Sequence, residues 1–454
     1  MAVSRGSALT PTRKLGFVMC VALVVGNMIG TGIFQLPRDL APLGWNSVYG
    51  WLATIVGTLC VVIVLLRLGR GRADSCAPYS YPAAAFGPGT GFVVAWSYWI
   101  SCWVTFAVLA VAVVQNLAFV WPGLGTPGVA MPAALAILWL FTLINCLGVR
   151  EAGKVQVITA ALKMLPLAGV VLVALWLLLR GDAAPVAYAS VQIETASING
   201  AATLALFAML SFESAMCVGD RAEDPERNVP RSTIAGTLLA GLIYLLCASA
   251  VTLLLPREAL AGASSPFALF FSSFVSPAAG GIVAIFVAIA ALGALNGIIL
   301  VSAEMPLAVA REGLLPAWVA RFNSREIPYR MHLISSGLAT LLVIANYSQS
   351  LAKLFTFMVL VTTSVSLIFY LAGALAALWL RARGKLDGSA GFMLVALVAV
   401  AYCLWAFYGA GIEAGLWGLA MTAVAIPIYL LMRLVNRSSP AAAASPAGSP
   451  ESAA

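Results

Sequence analysis

Charge is what this sequence has least of. Only 9% of its 454 residues are Asp, Glu, Lys or Arg, against roughly 25% in a soluble globular domain. That shortage excludes an ordinary water-soluble fold. Histidine is nearly absent too: His332 stands alone, at the start of an apolar run beside Arg330, and is read as structural. The eight cysteines form no C-x-x-C pair and no His/Cys cluster, which argues against a zinc or disulfide centre. Cys20, Cys60, Cys102, Cys146, Cys217, Cys247 and Cys403 fall within apolar runs as small buried side chains, and Cys76 falls in a loop. There is no H-E-x-x-H, no G-x-S-x-G and no Walker loop, so no catalytic residue, metal or cofactor is expected. Short alternating segments are missing as well, which excludes a β-barrel.

What is there instead is apolar sequence, 62% of the chain. Twelve runs are long enough to span a bilayer: 15–36, 46–67, 91–120, 129–148, 153–179, 198–222, 231–255, 278–310, 331–347, 352–380, 389–409 and 413–433. The net charge of +8 does not call for nucleic acid, because its distribution follows the membrane. With the N-terminus inside, twenty basic residues lie on cytoplasmic flanks, from Arg5 to Arg437. Only Arg38, Arg180, Arg257 and Lys353 lie on the opposite flanks, and Lys163 falls within a span. That bias predicts both termini in the cytoplasm. Residues 1–14 read as a short basic arm with no cleavable leader, and 438–454 as a disordered low-complexity tail.

Two spans are interrupted. The first carries "VVGNMIGTGIFQLP", with Gly26, Asn27, Gly30, Thr31 and Gly32 at its middle; the sixth carries "LALFAMLSFESAMCVGD", interrupted by Ser211, Glu213 and Ser214. The two lie five spans apart. Two broken helices in corresponding positions point to an inverted-repeat transporter with its site at the midplane. The fold class expected is therefore an all-α polytopic membrane protein of 12 transmembrane helices. Residues 15–180 and 198–380 form the 5+5 inverted repeats, and 389–433 are two appended helices. The loops "GDRAEDPERNVPRS" and "AREGLLPAWVARFNSREIPYR" read as structured cytoplasmic connections.

Unwinding a helix in hydrocarbon exposes backbone groups that need partners, and glycine lets another molecule approach them. The second half-helix would start near Thr31, aiming its amides and positive dipole end at a carboxylate. The first would end near Asn27 and Met28 with carbonyls suited to an ammonium group. Glu213 is an intramembrane carboxylate, a functional candidate by default. Lys163, in "VITAALKMLPLAG", is the only basic residue deep in a span, and the carbonyls of a broken helix are plausible partners for its ammonium. Phe207, just before the second break, is placed to fold over a substrate. Tyr98 and Trp103 give span three an aromatic face. Asn296 and Ser364 are expected to face the cavity, and Glu304 to pair with a nearby basic group.

"GNMIGTGIFQLP", "SYWISCWV", "SFESA", "EDPERNVPRSTIAG" and "AREGLLPAW" resemble the amino acid–polyamine–organocation superfamily. The likeness is nearest to its basic amino acid/polyamine antiporter branch, of the arginine/agmatine type, and runs from about residue 13 to about 430. The resemblance implies that Gly30, Thr31 and Gly32 take a substrate carboxylate. Carbonyls near Met28, Phe207 and Leu210 would take the amino group. Phe207 falls where that branch has a gating tryptophan, Glu213 matches a proton-sensing glutamate, and Cys102 and Phe106 fall at pocket positions. Ile298 stands in place of a pocket tryptophan, Phe106 in place of an asparagine, and Ser211 in place of a glycine. Lys163 resembles the span-five lysine of sodium-independent members.

The more apolar pocket would leave a desolvated cation short of partners. The expectation is therefore a sodium-independent transporter of neutral, apolar amino acids, an exchanger or proton-coupled through Lys163 or Glu213. It would be a multi-pass inner-membrane protein, monomer or homodimer, with an amino acid, a proton and the lipid bilayer as partners and no nucleic acid. The alternative is a basic amino acid/polyamine antiporter. A different class, a sensor that binds an amino acid without moving it, would be expected to carry a signalling domain.

Overall fold

The computed structural model describes residues 16–69, 80–147, 152–181, 192–213, 222–311, 313–323, 327–345 and 350–438. Ser214, Cys76 and Cys217 lie outside these residues. Among the described residues there is no β-strand. The helices are α1 (Phe17–Met28), α2 (Gly32–Leu40), α3 (Trp45–Gly69), α4 (Ser80–Phe86), α5 (Pro88–Val120), α6 (Pro127–Leu147), α7 (Ala152–Arg180), α8 (Thr195–Met209), α9 (Pro225–Leu254), α10 (Arg257–Ala261), α11 (Pro266–Phe274), α12 (Pro277–Ser302), α13 (Glu304–Arg311), α14 (Tyr329–Ala345), α15 (Leu351–Ala382), α16 (Ala390–Gly409), α17 (Gly411–Ala423) and α18 (Ala425–Ser438).

Nine helical segments of the described residues are long and apolar enough to cross a membrane, and α1 with α2 makes a tenth that is bent by 49°. The other two expected spans are represented by shorter apolar helices, α8 and α14. Helix α8 is short because the chain leaves it at Met209, within the sixth apolar run. Two spans are subdivided: the eighth turns from α12 into α13 at Ala303, and the twelfth from α17 into α18 at Val424. The loop "EDPERNVPRS" is largely helical, since α9 begins at Pro225. Proline suits that first position, where its missing N–H would have no intrahelical partner.

Helices α5 and α15 form the centre. Their most apolar windows are 72% and 78% buried, against 17% for Gly411–Val435. Helix α5 packs against α12, α15, α14 and α6. At 33 residues it is about 50 Å long at 1.5 Å per residue, well beyond a hydrocarbon core of roughly 30 Å.

Lipid tails give helices no hydrophobic reason to associate, so small residues and polar contacts decide the pairs. A Cβ built on Gly50 would lie 2.5 Å from Ala201 Cβ, and one on Gly57 would lie 2.3 Å from the Tyr402 ring. These two glycines bring α3 against α8 and α16. Thr54 Oγ1 donates to the Ala202 carbonyl at 2.7 Å. Helix α14 is tied by Trp99 Nε1 to Ser335 Oγ (3.0 Å), Trp139 Nε1 to Thr340 Oγ1 (3.0 Å) and the Thr142–Ser336 hydroxyl pair (2.6 Å). His332 is fully buried in the first turn of α14, rather than interfacial, and neither ring nitrogen has a partner among the described residues.

Candidate functional site

The first break is built from main chain. Ile29 N–H donates to the Val25 carbonyl at 3.0 Å, the last bond of α1. Ile29 then leaves helical geometry at ψ 89°, and Gly30 N–H folds back to the Met28 carbonyl at 2.8 Å. Thr31 caps α2 through its carbonyl, which accepts from Phe34 and Gln35 at 3.1 and 3.3 Å. The amides of Thr31, Gly32 and Ile33 make no backbone hydrogen bond among the described residues, nor do the Asn27 and Ile29 carbonyls. A helix start leaves such donors unsatisfied and electropositive. The Met28 carbonyl, expected to be free, already serves Gly30 and has one lone pair left.

The glycines divide the labour. A Cβ on Gly26 would meet nothing within 4 Å, and one on Gly30 only the Met28 carbonyl at 4.0 Å. The main chain there faces open space. Gly32 is the opposite case. Its Cβ would stand 2.9 Å from Phe207 Cδ1 and 3.3 Å from Ala208 Cα. The Phe207 ring thus lies over the first turn of α2, and only glycine admits it.

Lys163, on α7 and 5% exposed, donates its ammonium to the Gly26 carbonyl. This is a carbonyl of the broken helix, the kind of partner the sequence suggests. The bond ties the last turn of α1 to α7.

In the sixth apolar run the described chain leaves helical geometry after α8. Leu210 N–H reaches the Phe207 carbonyl at 3.4 Å, and Leu210 itself is extended at ψ 163°. Ser211 turns through φ 74°, left-handed geometry that few non-glycine residues adopt. That turn delivers Phe212 and Glu213 to α15. Phe212 stacks on Tyr370, with centroids 5.1 Å apart, and the Tyr370 hydroxyl donates to Glu213 Oε2 at 3.3 Å. Tyr370 packs on Phe369 (4.7 Å), and Phe369 meets Tyr98 edge-on (5.9 Å).

Tyr98, Cys102 and Phe106 follow i, i+4, i+8 spacing and share one face of α5. Cys102 and Phe106 are buried. The aromatic ladder therefore joins that face to Glu213. Tyr370, Phe369 and Phe212 were not singled out from sequence; the available signal was the aromatic pair in "LIFYLAG" within a deeply apolar span.

The structure brings Met28, Gly30, Thr31, Gly32, Lys163 and Phe207 together, with Leu210 at the end of α8. It links Glu213 to Tyr98 through α15. Ile298 is half-buried on α12, which packs against α5. Three expected residues are placed elsewhere. The Asn296 side chain accepts from Asn145 Nδ2 at 2.9 Å and ties α12 to α6. Ser364 bonds back to the Leu360 carbonyl at 2.8 Å and packs beneath Gly418 of α17. Glu304 is exposed at the start of α13, with no ion pair among the described residues. In this conformation Asn296 and Ser364 each already have a hydrogen-bond partner, and Glu304 has no ion pair among the described residues.

A bundle of apolar helices whose backbone opens into amides and carbonyls at mid-span defines a class, the polytopic membrane transporters with broken helices. Within that class the chain belongs to the amino acid permease family, whose family model matches residues 15–430. It is similar to the putrescine transporter PotE of Haemophilus influenzae, 27% identical over 421 residues, covering 92% of this chain and 97% of that protein. The putrescine transporter PotE of Escherichia coli K12 is 26% identical over 93% of this chain and 96% of its own length. The cadaverine/lysine antiporter of Escherichia coli K12 is 28% identical over 74% of this chain and 76% of its own.

Proposed function

We propose that this chain is a sodium-independent antiporter of polyamines and basic amino acids. It works by alternating access about the two breaks, within 5+5 inverted repeats (15–180 and 198–380) followed by two appended helices. The observation that carries the reading is the pair of breaks itself: free amides and carbonyls at Asn27–Ile33, and an intramembrane carboxylate, Glu213, at the other. One ammonium can rest on the carbonyls and a second can be neutralised at Glu213. Carboxylate-bearing substrates use the amides of Thr31, Gly32 and Ile33 as well.

This reading takes the place of the neutral amino acid expected from Phe106 and Ile298. Putrescine, cadaverine and lysine, named for the relatives, have a polymethylene stem between their charges. Apolar walls suit that stem, at about 0.8 kcal/mol for each buried CH₂. An apolar pocket therefore does not by itself argue against a cationic substrate. Neutral amino acid exchange is kept as a second reading because Phe106 stands in place of a polar asparagine and Ile298 in place of an indole.

The Lys163 ammonium, bonded to the Gly26 carbonyl at the end of α1, supports independence from sodium. The charge bias supports cytoplasmic termini and an inner-membrane location. Proton coupling is assigned to Glu213 or Lys163, the two titratable groups at the breaks.

The test is exchange in proteoliposomes loaded with unlabelled putrescine, cadaverine, lysine or leucine. Uptake of labelled diamine or lysine should be accelerated by internal diamine or lysine, with no response to sodium. Exchange confined to leucine and other neutral amino acids would favour the second reading. No exchange across the whole panel would overturn transport of these classes.

A further inference from the structure

The described residues contain one ion pair, at the far end of α2 from the break. Arg38 Nε donates to Asp39 Oδ1 at 3.1 Å, and Arg38 is only 4% exposed. Its guanidinium lies over the Phe355 ring, 5.8 Å from the centroid. The other Asp39 oxygen accepts from Thr356 Oγ1 at 2.9 Å. The pair thus fastens the last turn of α2 to the start of α15. Yet Arg38 Nη2 is buried with no acceptor among the described residues.

It is not alone. Gln35 is fully buried with both amide atoms unpartnered, and the buried Thr31 hydroxyl is unpartnered as well. Residues 31, 35 and 38 follow i, i+4, i+7 spacing, so they share one face of α2. The face runs about 10 Å along the axis at 1.5 Å per residue, and it begins at the backbone cradle. Each unpaired buried group costs roughly 1–3 kcal/mol. Three such residues lie on one stripe, which ends in a guanidinium with an unused donor.

We propose that this face of α2 is an outer station on the substrate path, where Arg38 Nη2 receives the α-carboxylate of an arriving amino acid before it reaches the Thr31–Ile33 amides. The station rests on the transport reading and on the charge bias that places this end of α2 outside. Guanidinium is the side chain best matched to a carboxylate. A diamine carries no carboxylate and gains nothing from Arg38. The station therefore separates two substrate classes that the inner site accepts together. In the present conformation Asp39, Thr356 and Phe355 hold Arg38 and keep the station shut.

The experiment measures the external KM for lysine and for cadaverine in the same proteoliposomes, with the same internal substrate. Arg38→Gln should raise the lysine KM roughly tenfold or more, the range for losing a hydrogen bond to a charged group, and leave the cadaverine KM unchanged. Cadaverine exchange in those vesicles also reports that the variant is folded. Arg38→Lys, which keeps the charge but loses the planar fork, should give an intermediate lysine KM. Thr356→Val, which loosens the clamp but spares Arg38, should leave the cadaverine KM unchanged and should not raise the lysine KM. Equal changes for lysine and cadaverine in Arg38→Gln would overturn the station and make Arg38 a structural clamp. Wild-type exchange of diamines without any amino acid would overturn it too. A wild type that exchanges neither substrate would overturn the transport reading instead.

Discussion

At the scale of single residues, the site depends on one close approach and one buried charge. Gly32 lets the Phe207 ring lie on the start of α2. Gly32→Ala should reduce exchange at least several-fold, because the ring or the α8 backbone must give way, an overpacking cost of typically 1–3 kcal/mol. Phe207→Leu in the same chain should recover part of the activity by restoring room, and initial rates of exchange measure both. Lys163 holds the Gly26 carbonyl. Lys163→Met keeps the bulk of the side chain but removes the donor and the charge; exchange should fall about tenfold or more, the cost of a lost charge-assisted bond. A variant with full activity would deny Lys163 any organising role. Ser211 sits at φ 74°. Ser211→Val should lower stability by about 1–3 kcal/mol, because a β-branched residue tolerates that geometry poorly, while Ser211→Gly should not. Thermal unfolding of the purified protein separates the two.

At the scale of elements, the helices meet where small residues allow it. Gly57 lies under the Tyr402 ring, and α3 packs against α16 at this point. Gly57→Leu should push the two helices apart and lower stability by about 1–3 kcal/mol, read as a drop in the thermal midpoint with little change in substrate KM. Gly26→Ala is the useful contrast, since its Cβ would meet nothing; it should leave stability almost unchanged. The same contrast explains what was legible in the glycine-rich opening of the chain. The sequence showed that "GNMIGTG" breaks a helix. It did not show that Gly30 faces open space while Gly32 is pressed against another helix.

At the scale of the whole molecule, charge and hydropathy decide orientation. Twenty of the twenty-five basic residues lie on one set of flanks, and cytoplasmic flanks are the ones that retain Lys and Arg. Epitope tags at either terminus should resist protease in right-side-out vesicles and be cut in inverted ones; a tag cut from the outside would reverse the assignment. The centre of the bundle is a different matter. Helices α5 and α15 are the most enclosed, and both supply the aromatic ladder from Tyr98 to Glu213.

Sequence alone determined the all-helical membrane class and the break in the first apolar run, because hydrophobic runs and clustered glycines are local and a bilayer penalises any other arrangement of backbone. It also pointed to Lys163, Glu213 and Phe207 as candidates, since a charge or a ring beside a break is visible in one dimension. Tertiary structure decided which polar groups remain for a ligand. Asn296 and Ser364 read alike as cavity residues; the structure adds that Asn296 accepts from Asn145 and that Ser364 donates to the Leu360 carbonyl. Thr31, Gln35 and Arg38 drew no such attention as a set, yet they retain unpaired buried atoms on one helix face. A hydrogen bond is a relation between two groups, and the partner of each was chosen by helices far apart in the chain.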